Sequence, residues 1–140
     1  MPFQVSWYVE KRIVYGHYYG EITIEELAEA TAIIYDYLEQ TEAPAYLIVD
    51  TTDVTRHPYS LASLKQALGR DRHPNLAWTL GVTPNKMVRM MSGMLNQMAR
   101  MQAKHFTKLE EALEFLQRLD KTLPDLSQKP PISYTANKQS

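Results

Sequence analysis

The order of apolar and polar residues along the chain predicts an alternation of strands and helices. Apolar side chains at every second position indicate two N-terminal strands, residues 5–9 and 13–19, joined as a hairpin. Apolar residues at helical spacing then indicate a first helix that runs to about Thr41, with Thr23 and Glu26 as a capping box. The unbroken apolar run at residues 46–49 is typical of a strand buried on both faces, and a polar loop at residues 51–58 is expected after it.

The second half of the chain continues the alternation. It predicts a short helix that opens near Ser60, a strand at residues 76–82, and a third helix that runs to about Ala103 with Thr83 as its N-cap. A short extended piece at Phe106 and a final helix follow, with Thr107 and Glu110 expected to form a second capping box. The predicted fold is therefore α/β, with a mixed sheet of four to five strands, an N-terminal hairpin, helical crossovers and four helices.

The composition of the chain disfavours several classes of function. The chain has 140 residues, 44% of them hydrophobic, a net charge of -1 and no cysteine. One domain over residues 1–120 is expected, and prolines with few apolar residues predict a flexible tail at residues 121–140. The near-neutral charge gives no global attraction to nucleic acid, and the lack of cysteine excludes disulfides and thiolate metal sites. The start lacks a signal-peptide pattern, so a cytoplasmic protein is expected.

Three segments stand in order and at consistent spacing: Gly20 to Thr23 before the first helix, Leu47 to Asp50 with its loop and following helix, and His105 to Thr107 leading into residues 111–116. Together they resemble the STAS superfamily, named for sulfate transporters and anti-sigma factor antagonists, and particularly its SpoIIAA-like members. The resemblance covers roughly residues 5–119. It implies a STAS-like fold and a non-enzymatic regulatory module without a cofactor.

The resemblance also implies where a partner would bind. In regulatory members of this superfamily, a kinase phosphorylates a hydroxyl residue at the helix start after the central strand. Ser60 stands in that register here, although the acidic residue and the glycine of the motif are absent. Ser60 is therefore a candidate phosphoacceptor, while the simpler interpretation, which we favour, is a helix N-cap. A protein partner, such as a regulatory kinase or a switch protein, is expected to contact Asp53, Thr55, Arg56, His57 and Ser60.

The third predicted helix carries a methionine-rich face, which includes Met87, Met91, Met94 and Met98. Burying side chains of this size is worth about 1.5–3 kcal/mol each, so we expect this face to be covered. The sheet of the same domain is the favoured cover. The alternative is an interface for an apolar ligand, a lipid, a partner helix or a second copy in a homodimer, because methionine adapts to varied surfaces.

Other features of the sequence give weaker indications of function. Basic residues at positions 86, 89, 100 and 104 are expected on the opposite face of the third helix, whereas residues 21–42 hold seven acidic residues and no basic one. This segregation favours protein docking or self-association over nucleic acid. Asp50, Asp53 and His57 match no known ligand spacing, so no metal site is predicted. The chain has none of the common catalytic or nucleotide-binding motifs, and we expect no enzymatic activity.

Overall fold

The computed structural model describes residues 2–56, 60–68, 72–98 and 101–128, without the side chains of residues 61, 91, 95 and 98. Within these ranges the chain forms five strands and four helices, in the predicted α/β order. They are β1 (Phe3–Val9), β2 (Ile13–Glu21), α1 (Ile24–Leu38), β3 (Ala45–Arg56), α2 (Leu61–Leu68), β4 (Leu76–Val82), α3 (Lys86–Met98), β5 (Ala103–Phe106) and α4 (Leu109–Leu119), followed by a 3₁₀ turn, Leu126–Gln128.

The five strands form one mixed sheet in the order β1-β2-β3-β4-β5. The predicted hairpin is present, with β1 antiparallel to β2, and the other neighbouring strands are parallel. Parallel neighbours need crossover connections, and α1, α2 and α3 supply them. Contacts between α1 and α2 and between α2 and α3 show that these helices lie side by side, while α4 packs against β4 and β5.

The sheet separates two apolar cores, one on each of its faces. On the face that we call the α1 face, α1 packs against the strands through Phe3, Val5, Val14, Tyr18, Ile22, Ala30, Ile34, Leu38, Leu47 and Leu76. On the opposite α4 face, the core consists of Tyr8, Ile13, Tyr15, Tyr46, Ile48, Leu80, Val82, Ala112, Leu116, Leu123 and Leu126. β3 is buried on both sides from Ala45 to Ile48, which explains its unbroken apolar run.

The first predicted helix start is confirmed. Thr23 Oγ1 accepts a hydrogen bond from the Glu26 N–H at 3.1 Å, and the Glu26 carboxylate accepts one from the Thr23 N–H at 2.9 Å. This reciprocal pair satisfies two backbone donors that have no partner inside α1.

The start and the end of α3 differ from the prediction. The Thr83 N–H donates to the Phe106 carbonyl at 2.9 Å, and the Thr83 hydroxyl accepts from the Asn85 N–H at 3.2 Å, so Thr83 lies in the turn between β4 and α3 and is not the N-cap. Asn85 is the cap instead, since its side-chain oxygen accepts from the N–H groups of Met87 and Val88. The described part of α3 runs to Met98, and Ala103, at the predicted end, lies in β5 and pairs with β4.

The start of α4 also differs from the predicted capping box. Lys108 occupies the N-cap position without a side-chain hydrogen bond. The carboxylate of Glu111, not that of Glu110, accepts from the Thr107 N–H at 3.3 Å and from its hydroxyl at 3.1 Å. The expected pairing is therefore shifted by one residue.

The packed domain extends beyond the predicted boundary at residue 120. Leu123 and Leu126 are buried in the α4-face core, and the Tyr8 hydroxyl donates to the Leu126 carbonyl at 3.4 Å. α4 ends at Leu119, and Leu123 and Leu126 then bury enough apolar surface to hold the chain against the sheet. The prediction of a tail from residue 121 is therefore wrong up to Gln128, and residues 129–140 lie outside the described residues.

Asp120 fixes this final segment to the sheet. Its Oδ2 accepts from Arg12 Nη2 at 2.8 Å and from the Tyr46 hydroxyl at 2.7 Å, and its Oδ1 accepts from the Thr122 N–H at 2.9 Å. Burial by itself raises the pKa of Asp120, but the hydrogen bonds from Thr122 and Tyr46 and the charge of Arg12 outweigh it and lower the pKa to about 2. The carboxylate thus joins the hairpin turn, β3 and the chain after α4.

Candidate functional site

The segment after the apolar part of β3 is a strand, not the predicted loop. β3 continues to Arg56, whereas its pairing with β4 ends at Asp50 opposite Val82. Beyond that point β3 pairs with β2 alone, up to Arg56 opposite Glu21. The polar residues looked like a loop because a two-stranded extension that faces water needs no apolar alternation. We call residues 51–56 the outer end of β3.

The outer end of β3 carries three of the predicted partner-binding residues, and all three are exposed. The Asp53 side chain keeps 63% of its surface accessible, and its Oδ2 lies 2.9 Å from His17 Nε2 on β2. The Arg56 side chain is 77% accessible and lies 3.5 Å from the Glu21 carboxylate. The Arg56–Glu21 pair is exposed on both sides, and such pairs contribute at most about 1 kcal/mol, so the charge of Arg56 can be given up to a partner at little cost.

Ser60 stands at the start of α2 and acts as its cap. Its hydroxyl accepts from the Ser63 N–H at 3.2 Å, and its carbonyl accepts from the Leu64 N–H at 2.9 Å. The residue itself is exposed. The predicted N-cap is thus confirmed, and the hydroxyl lies at the positive end of a helix whose first turn has no acidic residue. His57 lies outside the described residues.

Asp50, in contrast, is a structural residue. Its side chain is buried, its Oδ2 accepts from the Tyr15 hydroxyl at 2.6 Å, and its Oδ1 accepts from the Thr52 N–H at 3.0 Å. These bonds satisfy both carboxylate oxygens at the point where β4 stops pairing with β3. Among the described residues, no group of three histidine, aspartate or glutamate side chains could hold a metal ion.

The methionine face of α3 is exposed where it is described. Met87, Met90 and Met94 keep 47%, 58% and 43% of their surface accessible. Their spacing of three and four residues places them on one stripe along the helix. The favoured expectation that the sheet covers this face is therefore wrong for these three residues. The side chains of Met91 and Met98 lie outside what the structure describes.

The basic residues expected on the other face of this helix do not form one surface. Lys86 is exposed on α3 and Arg89 is partly buried, whereas Lys104 belongs to β5. The Lys104 ammonium lies 5.0 Å from the ring centre of Phe115 on α4. Arg100 lies outside the described residues. Burial, with the charge of Arg89, lowers the pKa of His105, whose ring packs over Gly81.

A row of rings on β2 escaped the sequence analysis. Tyr15, His17 and Tyr19 alternate along the strand and therefore share the α4 face. The His17 ring lies parallel to that of Tyr15 with 6.5 Å between their centres, and 5.3 Å from that of Tyr19. We call these three residues the ring row. Their spacing of two was visible in the sequence as part of the alternation that predicts the second strand.

Comparison with solved structures supports the fold. An uncharacterized protein of the DUF3478 family with a SpoIIAA-like fold, from Shewanella loihica PV-4, matches with a TM-score of 0.58 and 15% identity over 81% of this chain and 91% of that chain. The anti-sigma factor antagonist SpoIIAA in its unphosphorylated form matches with a TM-score of 0.56 and 17% identity over 83% of this chain and 96% of that chain. These likenesses confirm the predicted STAS-like, SpoIIAA-like fold, and at such identities they establish the fold alone.

No protein-family model matches the sequence, and no curated protein is significantly similar to it. None of the helices in the described ranges has the length and apolarity needed to cross a bilayer.

Proposed function

We propose that this protein is a non-enzymatic regulatory module of the cytoplasm that binds a protein partner through the outer end of β3 and the start of α2. The observation that carries the proposal is the exposure of Asp53, Thr55, Arg56 and Ser60 at one end of the sheet. Strand ends and helix starts of this kind are common working surfaces in α/β proteins. One structure with the same fold is an anti-sigma factor antagonist, so the fold can support a regulatory role.

The charges at this surface favour recognition over catalysis. Asp53 and Arg56 are exposed and carry opposite charges on one strand extension; Asp53 lies beside the partly buried His17, and Arg56 beside the exposed Glu21. Complementary charges on a partner would set its orientation and raise its rate of association. A phosphate on Ser60 would add negative charge beside Arg56 in sequence and at the positive end of α2, which gives such a surface a means of control.

Binding to purified candidate partners tests this proposal. We would measure the affinity of the full chain for anti-sigma-type kinases and switch proteins of the same organism, and then repeat it with Arg56→Glu. Arg118→Glu is a matched control, because Arg118 is also 77% accessible and lies 3.6 Å from an exposed glutamate, Glu114. Loss of binding in Arg56→Glu alone supports the proposal, whereas equal binding by all three proteins removes this surface from the account.

A second candidate function uses the exposed stripe of α3. Three accessible methionines on one helix face are an adaptable apolar surface, and they suit a small apolar ligand or a lipid. Native mass spectrometry after gentle purification would reveal a retained ligand, and flotation with liposomes would reveal docking on a membrane. The triple variant Met87→Gln, Met90→Gln, Met94→Gln should lose either signal. If the unmodified protein shows neither, this second function is rejected.

A further inference from the structure

The outer end of β3 has one edge that no described strand occupies. β3 lies between β2 and β4 as far as Asp50, but from there to Arg56 only β2 continues beside it. The Thr51 hydroxyl donates to the Val82 carbonyl at 3.4 Å, at the end of the β4 ladder. Within the described ranges, no strand pairs with residues 52–56 on the side where β4 lies. We call this side of residues 52–56 the vacant edge.

The chain after β4 turns away from the vacant edge. The Thr83 N–H donates to the Phe106 carbonyl on β5, and Asn85 then caps α3, so the chain leaves the sheet instead of continuing beside β3. Residues 52–56 are exposed except for Val54, which is partly buried. The vacant edge is therefore open to water. It is about 17 Å long, which is enough for a short strand.

The two outer strands of the sheet offer less to an added strand. The Tyr37 hydroxyl on α1 donates to the Val5 carbonyl of β1 at 3.2 Å, so a side chain already contacts the main chain of that strand. At the other side of the sheet, β5 has only four residues, Ala103–Phe106, and its Lys104 is exposed. Short strands and charged side chains are common means of keeping a sheet edge from pairing.

The charges along the vacant edge make it selective. Asp53 and, three positions further on, Arg56 place a negative and then a positive side chain on this strand. Pairs of opposite charge on neighbouring strands are favourable, and pairs of like charge are unfavourable. Two register shifts interrupt the pairing of β2 with this end of β3, and shifts and charges together disfavour unselective addition of an apolar strand.

We infer that the protein partner contributes an extended segment that pairs with the vacant edge as an added strand. The segment carries a basic side chain opposite Asp53 and an acidic one opposite Arg56. Its main-chain hydrogen bonds supply affinity, and its alternate side chains supply specificity. This mode of binding rests on the proposed function, because it names what the partner places on that surface.

A phage-displayed library of linear peptides provides the test, with the full chain as the target. Selected peptides would be synthesised, and each of their backbone N–H groups would be methylated in turn. An added strand bonds to β3 through every second residue, so methylation should weaken binding about tenfold or more at alternate positions and less than about twofold between them. No selected peptide, or a methylation pattern without a period of two, would overturn the inference.

Substitutions at Thr55 locate the peptide. The Arg56 carbonyl faces β2, since it accepts from the Ile22 N–H at 3.0 Å, so the main chain of Thr55, one residue earlier, faces the vacant edge. Thr55 also has no counterpart in the register, because Gly20 pairs with Val54 and the next pair joins β2 to Arg56. Proline is tolerated at such bulges, so Thr55→Pro should fold.

Thr55→Pro should weaken the selected peptides at least about tenfold, because it removes a main-chain N–H from this strand, whereas Thr55→Val keeps that N–H and should change the affinity less than about twofold. Equal binding by both variants would overturn the inference. If Thr55→Pro does not fold, nuclear Overhauser effects between the peptide and the backbone of residues 52–56 in the unmodified chain decide the location, and contacts confined to α3 or to other strands would overturn it.

Two comparisons separate this mode of binding from other possibilities. Sedimentation of the unmodified chain and of Thr55→Pro shows whether a second copy occupies the edge, and a dimer that only Thr55→Pro dissociates would overturn the inference. The library needs no kinase or switch protein, so a negative result rejects the added strand and leaves the Arg56→Glu test of the proposed function standing by itself.

Discussion

Replacing Asp120 by asparagine tests how the chain after α4 is held to the sheet. Folding lowers the pKa of this carboxyl from its ordinary value of 3.8 to about 2. Each unit of difference corresponds to about 1.4 kcal/mol, so the ionised carboxylate stabilises the folded state by about 2 kcal/mol at neutral pH. The Asp120 side chain is only 9% accessible, so screening by solvent reduces this stabilisation only slightly. We expect Asp120→Asn to lower the free energy of unfolding at pH 7 by about this amount.

The pH dependence gives the sharper assay. Because the folded-state pKa lies below the unfolded value, the contribution is complete above about pH 5 and disappears as the pH falls through 2. Urea denaturation at pH 7 and pH 3 should therefore show the gap between wild type and Asp120→Asn falling to about half at pH 3. Glu114→Gln, which removes an exposed pair with Arg118, should cost less than about 1 kcal/mol at pH 7. A loss at pH 7 no larger than that of the control, or a gap that stays constant with pH, would refute this reasoning.

Three further changes test other parts of the structure. Gly81→Ala should destabilise the protein by about 1–3 kcal/mol in thermal or urea unfolding, because a Cβ there would lie 2.6 Å from the His105 ring, whereas Gly93→Ala meets no atom within 4 Å and should not destabilise it. Ser60→Ala should lower the free energy of unfolding by about 1 kcal/mol, while Ser60→Asp, which keeps a capping oxygen, should restore it; an equal loss in both would contradict the capping role. Met90→Gln should change stability by no more than about 0.5 kcal/mol, since the side chain is 58% accessible, and a larger loss in urea titration would show that the stripe is packed.

The sequence was sufficient to predict the architecture because the spacing of apolar residues and the capping of helices are local properties of the chain. The capping box of Thr23 and Glu26 and the unbroken apolar run of β3 each depend on residues close together in the chain. The start of α3 was misjudged for a non-local reason. Thr83 has the right residue type for a cap, but the bond from its N–H to Phe106 holds it against β5 and the helix begins two residues later, at the cap Asn85; no local pattern reveals that pairing.

The candidate site was only partly predictable for the same reason. The residues at positions 53–56 were identified, but their polar character suggested a loop, since their pairing with β2 depends on how far that neighbouring strand extends. Leu123 and Leu126 were assigned to a tail because two isolated leucines carry little periodic signal, although the groove beside α4 buries both. The exposure of the α3 methionines could likewise not be predicted from the sequence, because an amphipathic pattern does not show whether anything covers the apolar face.

The most direct test of the central claim is the affinity of the full chain for one purified protein partner, measured by biolayer interferometry with Arg56→Glu and Arg118→Glu in parallel. The account predicts that Arg56→Glu weakens binding at least about tenfold, a loss near 1.4 kcal/mol, while Arg118→Glu binds as the unmodified chain does. The account would be contradicted if no kinase or switch protein of the organism binds, or if the two variants bind equally well.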